Sequence, residues 1–331
     1  MQQLDLEVME SGVRWSRAGE TVWLCTVLAT YGSSPRAPGS LLVARRDGRC
    51  AGSLSGGCVE EDFLSRLQAG EFQEPLQVIR YGESSDDQQR LKLPCGGILE
   101  VLIERLPATP DTWRHLTALQ EALHGQRRLV REVDLATGEV DLLTDDTPGS
   151  GSRDQERPRV ERESERVRIR IGPSLRLVIA GVSPVSVACA EFARTLGFEV
   201  VVCDPREEEI EAFPVADVEL RPVLPSLYLA GEGCHASTAV VALTHDPRID
   251  DLAMIEALRT PAFYIGAMGS RQTSAARAER LLRSGGLSSE EIARIHMPIG
   301  LDIGSKTPAE IALAVMADIV RVYHGKPRQR L

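Results

Sequence analysis

The sequence predicts an α/β protein in two parts: an N-terminal mixed α+β domain over residues 1–144 and a Rossmann-like, doubly wound parallel-sheet domain over residues 174–331. The first observation behind this is a charged break. Residues 145–173, DDTPGSGSRDQERPRVERESERVRIRIGP, join a Pro/Gly/Ser cluster to a dense run of mixed charge, a composition with too little apolar surface for a core, so a flexible linker is expected there. The second is the change of pattern across that break, from strand-rich before it to alternating strand and helix after it. The third is size: 331 residues, 43% of them hydrophobic, can fill two cores.

Before the break, the apolar and β-branched runs at 21–30, 40–46 and 98–106 predict strands. They surround CVEEDFLSRLQAG (58–70), where Val59, Phe63, Leu64 and Leu67 recur at helical spacing. A further helix is expected from Asp111 to Leu123, and a hairpin over 129–144 turning at Thr137-Gly138. After the break come strands at 175–181, 198–204, 238–246 and 262–270. Helices are expected over Pro184–Leu196, up to about Leu258, and in three closing stretches that end with AEIALAVMADIVRVYHG. Single helices between successive strands are the pattern of a parallel sheet covered on both faces.

A formal net charge of -10 sets a long-range field that repels phosphate backbones and anionic membranes. Nucleic acid and membrane are therefore not expected partners. The acidic N-terminus MQQLDLEVMESG is unlike a secretory signal, and no apolar run approaches a membrane span, so a cytoplasmic location is expected. Seven cysteines are scattered without CxxC spacing, which argues for small buried hydrophobes rather than zinc ligands.

Two cysteines have unusual settings. Cys58 follows Gly56 and Gly57 and opens the first helix, where free N–H groups and the helix dipole favour a thiolate able to act as nucleophile or metal ligand. Cys95 stands before Gly96 and Gly97 in LPCGG, a backbone able to fold closely round a ligand. A buried structural cysteine is the competing reading of each. The turn YGSSPRAPG (31–39) offers Ser34 and Arg36 to an anionic oxygen, or is a plain Pro/Gly turn.

In the second half, LVIAG runs into a helix capped by Ser183, and the next strand ends at Asp204. This is the outline of a dinucleotide-binding unit. With Gly181 as the first glycine, however, the second and third fingerprint positions hold Ser183 and Ser186. A weakened phosphate site and an inherited fold without one both fit. Asp204 reads as a ribose contact or a turn residue. Later strand ends carry His245, Gly269 and Ser270 with further glycines, and such ends form the pocket mouth in open α/β sheets. His245 reads as a turn residue or a functional one.

Taken in order, TYGSSPRAPGS (30–40), GSLSGGCVEED (52–62), LPCGG (93–97), VCDPR (202–206), LTHDPRID (243–250), YIGAMGSRQT (264–273) and MPIGLDIGSKTPAEIALAVMADI (297–319) resemble the XdhC/CoxI accessory proteins along nearly the whole chain. The resemblance implies a molybdenum cofactor chaperone rather than an enzyme. It would take molybdopterin from the biosynthesis proteins, protect it while a cysteine desulfurase supports sulfuration, and insert it into a molybdenum hydroxylase apoenzyme. Under that reading Cys58 is the first candidate to contact molybdenum and Cys95 the second. A cysteine-based sulfur carrier and a nucleotide-dependent oxidoreductase are the alternatives. The family commonly shows a GAGHV turn where this chain has GVSPV at 181–185, a departure that argues against nucleotide binding there. The apolar face of the last helix suits either a homodimer or the sheet.

Overall fold

A computed structural model describes residues 3–31, 36–83, 98–145, 159–231 and 234–327. The chain divides into two compact units, the first comprising residues up to 148 together with 157–174, the second formed chiefly by 175–331.

The first unit opens with α1 (Gln3–Arg17), followed by β1 (Val22–Tyr31), β2 (Leu41–Arg45), β3 (Cys50–Gly52), α2 (Cys58–Ala69), β4 (Leu76–Tyr81), β5 (Ile98–Leu106) and α3 (Pro110–Leu123). Five of the strands make an antiparallel sheet in the order β3-β2-β1-β5-β4. Alternation along β1 sends Trp23, Cys25 and Val27 to one face, where they pack with Val59, Phe63 and Leu67 of α2. Val22, Leu24 and Leu28 line the other face with Met9 of α1 and Leu116 and Leu119 of α3. Packing α2 on this sheet sets the height at which its first residue, Cys58, emerges.

The stretch expected as a linker is in part a sheet. Residues 146–158 lie outside the described residues, but β8 (Val160–Glu163) and β9 (Arg166–Ile171) join β6 (Leu129–Asp134) and β7 (Val140–Thr144) in the order β7-β6-β9-β8. The charge density misled because it occupies one face only. Val167, Ile169 and Ile171 are buried, while Arg168 pairs across the strands with Glu132 at 2.7 Å and Arg170 with Glu161 at 3.0 Å. Helix α1 and strand β4 were not anticipated either. The expected hairpin is β6–β7, with Gly138 at φ 76° in its turn.

The second unit is a six-stranded parallel sheet in the order β12-β11-β10-β13-β14-β15. Its strands are β10 (Arg176–Ala180), β11 (Glu199–Cys203), β12 (Glu219–Arg221), β13 (Thr238–Ala242), β14 (Tyr264–Ala267) and β15 (Ile295–His296). This is the doubly wound nucleotide-fold order, with the winding reversing between β10 and β13. Helices α4 (Pro184–Thr195), α5 (Glu207–Glu211), α6 (Pro225–Gly231), α7 (Pro247–Leu258), α8 (Arg271–Arg283), α9 (Ser289–Ala293) and α10 (Pro308–Tyr323) complete it. Leu177 and Ile179 pack with α4 and α10, and Val178 and Ala180 pack with α7 and α8, so both faces of the sheet are covered.

The sequence marks these helix starts clearly. Ser183-Pro184, Asp246-Pro247 and Thr307-Pro308 each place a capping side chain on a downstream amide and a proline where no N–H is needed.

Candidate functional site

The loop before Cys58 is closed by a single carboxylate. Glu60 Oε1 accepts from Ser53 Oγ at 2.7 Å and from the amides of Leu54, Ser55 and Gly56 at 2.8, 2.9 and 3.0 Å. Oε2 accepts from Ser55 Oγ at 2.6 Å and from the Gly57 amide at 2.9 Å. Burial pushes the Glu60 carboxyl up, but the Ser55 hydroxyl and amide, the Ser53 hydroxyl and the Gly56 amide outweigh it and bring it to about 2. Gly56 at φ 94° and Gly57 at φ 153° make the turn possible, in a region that side-chain-bearing residues rarely enter. Gly52, at φ 98°, is fixed for another reason: a Cβ there would lie 2.4 Å from the Leu41 carbonyl oxygen.

The amides of Leu54, Ser55, Gly56 and Gly57 in the loop before Cys58 therefore donate to the protein's own glutamate. What the loop presents outward is Cys58, exposed as the first residue of α2. Cys25 is buried, and burial pushes its thiol well up. Arg36 faces the buried Asp5 at 3.7 Å, and Arg159 reaches the same carboxylate at 3.6 Å and the Gly39 carbonyl at 3.1 Å. Ser34, Cys95 and Gly96 lie outside the described residues. Among the described residues no group of three or more His, Cys, Asp or Glu side chains is placed to hold a metal ion.

In the second unit the first βα turn is filled by its own side chains. Ser183 Oγ accepts from the Ser186 amide at 3.1 Å, and Ser186 Oγ donates to the Gly181 carbonyl at 2.6 Å. Gly181 has φ 88°, and a Cβ there would lie 1.8 Å from Thr244 Cγ2. Asp204, fully buried, accepts from the Val182 amide at 2.7 Å and from Arg206 Nε and Nη2 at 2.9 and 2.6 Å. Burial raises its pKa, and these contacts, Arg206 first, more than reverse the effect. The acid that would reach a ribose is committed to a neighbouring arginine.

The later strand ends do form a cleft, of about 600 Å³, lined by His245, Gly269, Ser270, Gly300 and Asp302 among others. His245, Gly269 and Ser270 line it together, whereas Gly181 and Asp204 do not. Arg277 holds the two sides of the cleft in register. Its Nη2 donates to Asp250 at 2.9 Å and its Nη1 to the Met268 carbonyl at 2.9 Å. Asp250 in turn accepts from Thr244 Oγ1 at 2.7 Å and the His245 amide at 3.0 Å, holding His245 at φ 73°. Burial raises the Asp250 pKa despite these partners.

Sequence reasoning missed Glu60 and the Asp250–Arg277 pair. Glu60 had a signal, since a glutamate at the third position of a helix is the residue that reaches back in a capping box. The pair, separated by a strand and two turns, had none.

Residues 177–319 match the XdhC Rossmann domain family and residues 15–82 the XdhC and CoxI family. The chain is 30% identical to a probable xanthine dehydrogenase subunit from Bacillus subtilis over 91% of this chain and 93% of that protein. It is 28% identical to the molybdenum cofactor insertion chaperone PaoD of Escherichia coli, covering 95% of this chain and 87% of that one. Its structure superposes on the crystal structure of a xanthine dehydrogenase from Bacillus halodurans with a TM-score of 0.71 at 25% identity, covering 98% and 97% of the two chains. With two family matches on its two units and relatives aligned along nearly its full length, the chain belongs to the XdhC and CoxI family.

Proposed function

We propose that the chain is a molybdenum cofactor chaperone that receives the cofactor, shields it while a cysteine desulfurase supports its sulfuration, and delivers it in the cytoplasm to a xanthine dehydrogenase or aldehyde oxidase type apoenzyme. The observation that carries this reading is Cys58, an exposed thiol at the head of a packed helix behind a loop locked by Glu60. A soft thiolate suits molybdenum, and a cargo with its own dithiolene needs one ligand from the carrier rather than a complete site. The insertion-chaperone relative and the xanthine dehydrogenase relative support the cargo and the client. Among the described residues no helix is long and apolar enough to cross a membrane, which agrees with delivery to a soluble client.

The test is co-purification from cells that make the cofactor, with molybdenum and pterin quantified per chain. Matching amounts of both on the wild type, and a loss of about tenfold in Cys58→Ala, are expected, as removal of one metal–ligand bond or its supporting contacts costs on that scale. Neither metal nor pterin on the wild type overturns the reading. Equal loading of the variant removes Cys58 from it. A persulfide on Cys58 after incubation with a desulfurase would instead favour a sulfur carrier.

A further inference from the structure

The four-stranded sheet of the first unit ends differently on its two sides. At one edge β8 carries Glu161, Arg162 and Glu163 along four residues, charges that discourage pairing with a further strand. At the other edge β7 offers Val140, Leu142 and Leu143, the last 47% exposed, beside a groove of about 1170 Å³. The groove lies between β7 and α3 and is lined by Arg17, Trp113, Arg114, His115, Val140 and Leu142 among others. We propose that β7 takes an added strand here, an extended segment of a partner protein in which acidic residues, turned into the groove, alternate with apolar ones.

The hydrogen-bond pattern of β7 says which groups are on offer. The Asp145 amide donates to the Arg128 carbonyl and the Asp134 amide to the Glu139 carbonyl, both at 2.9 Å. In the β6–β7 register these contacts commit every second residue from Glu139 to Asp145 to β6. The amides and carbonyls of Val140, Leu142 and Thr144 then point to the outer edge, where no strand pairs with them among the described residues. Those three stand opposite Val133, Arg131 and Leu129, all buried, so their side chains share the face that packs toward α3. A strand about 4.8 Å farther out would set alternate side chains in the groove and the others beside Leu143. The far wall is fixed, because Trp113 Nε1 on α3 donates to the Ser16 carbonyl at the end of α1 at 3.0 Å.

Charge selects the segment. Arg114 pairs with Asp111, and Arg127, which also lines the groove, pairs with Glu121 at 2.6 Å. All four side chains are well exposed, so the pairs are weak and exchange for a carboxylate that a partner brings. Arg17 has no acidic partner among the described residues. Three arginines against two carboxylates give the groove a positive excess on a chain whose net charge is -10. His115 adds a neutral donor. Arg131 Nε donates to its Nε2 at 3.3 Å, and burial, followed by the Arg131 charge, lowers its pKa to about 3. The ring proton therefore sits on Nδ1, where it meets no acceptor among the described residues and suits a carboxylate. Arg131 is itself buried against Glu104, which anchors the imidazole from behind.

The experiment is fluorescence anisotropy of a labelled, end-capped octapeptide of alternating glutamate and valine, titrated with the full chain at low salt. Saturation below about 1 mM is expected. The lysine–valine peptide should bind about tenfold more weakly or worse, from charge. So should the glutamate–valine peptide N-methylated at each glutamate, because the residues whose side chains enter the groove are those whose amides face β7. Arg17→Glu combined with Arg127→Glu should weaken the acidic peptide about fivefold or more with the melting temperature held within about 2 °C, since neither side chain is buried. Failure of the acidic peptide to saturate, equal binding of the lysine peptide, indifference to N-methylation, or unchanged affinity in the double variant would each overturn the proposal. Sedimentation of the full chain alone checks the other occupant: self-association that the acidic peptide competes away would assign the edge to a second copy and overturn it as well. The titration contains no molybdenum cofactor, so its failure and that of the chaperone reading are read separately.

Discussion

The Gly57 amide donates to Glu60 Oε2 at 2.9 Å, so the residue just before Cys58 is tied to the residue two places after it. The thiol is held between them on a backbone that cannot easily turn away. Glu60→Ala removes the acceptor for four loop amides and two hydroxyls. A loss of about 2–3 kcal/mol is expected, since unsatisfied donors near a deleted charge cost on that scale. Urea unfolding measures it, and a change below about 0.5 kcal/mol would show that water replaces the carboxylate at no cost.

The same carboxylate sets an acid limit. Glu60 is lowered from 4.5 to about 2. Burial pushes Asp318 up, but its contacts with His296, Arg321 and Tyr264 outweigh that and lower it from 3.8 to about 2. Depressed carboxylates contribute stability that is complete above their unfolded pKa values and lost as pH falls through the folded ones. Stability should therefore decline from about pH 4.5 toward pH 2. Glu60→Gln should flatten its share of that decline, and a pH series of melting temperatures on both proteins decides it.

Thiol reactivity should follow exposure. Cys58 is exposed, whereas Cys25, Cys189 and Cys203 are buried, with burial pushing the last two thiols up to about 12. Cys50 is exposed, but its thiol is pushed up by partial burial and then by Glu60. Iodoacetamide under native conditions should label Cys58 ahead of these four, with the buried three reacting only on unfolding. Peptide mapping at increasing times gives the order, and early labelling of Cys189 would contradict the packing of α4.

Arg277→Ala should be the most damaging single change in the second unit. It leaves Asp250, fully buried, without its cation and frees both the Met268 carbonyl and the His245 turn. Breaking a buried pair from one side costs about 3–5 kcal/mol, readable in chemical denaturation. A loss under about 1 kcal/mol would mean the pair is far more solvated than its geometry shows.

Gly181→Ala tests the close approach of two strand ends. The substitution must adopt φ 88° and displace Thr244 from a clash at 1.8 Å. A cost of about 2–4 kcal/mol is expected from strain and overpacking together, measured by thermal unfolding. A neutral result would show that the turn relaxes freely.

Much of this architecture was legible because its signals are local. The Ser183-Pro184 cap announced α4, and the apolar spacing of Val59, Phe63, Leu64 and Leu67 announced α2. What escaped depends on pairing at a distance. The alternation of Val167, Ile169 and Ile171 is hidden inside a run of charges whose partners, Glu132 and Glu161, lie on other strands. The site was half legible for the same reason. Residue type singled out Cys58, His245 and Ser270 as candidates, but that Glu60 fills its own loop and Arg206 its own aspartate are facts of geometry. Side chains able to bind a ligand read identically in sequence when they bind each other.

The return of β9 onto β6 has a practical consequence for dissection of the molecule. A fragment ending at residue 144, where composition suggests a cut, would strip β6 of its β9 partner and leave an open ladder of amides and carbonyls beside an apolar face, a template for aggregation. The separable N-terminal piece ends instead at Ser174, whose amide donates to the Leu123 carbonyl at 2.9 Å. The natural seam of this protein runs one residue before the six-stranded sheet begins, at a place no hydrophilicity profile would mark.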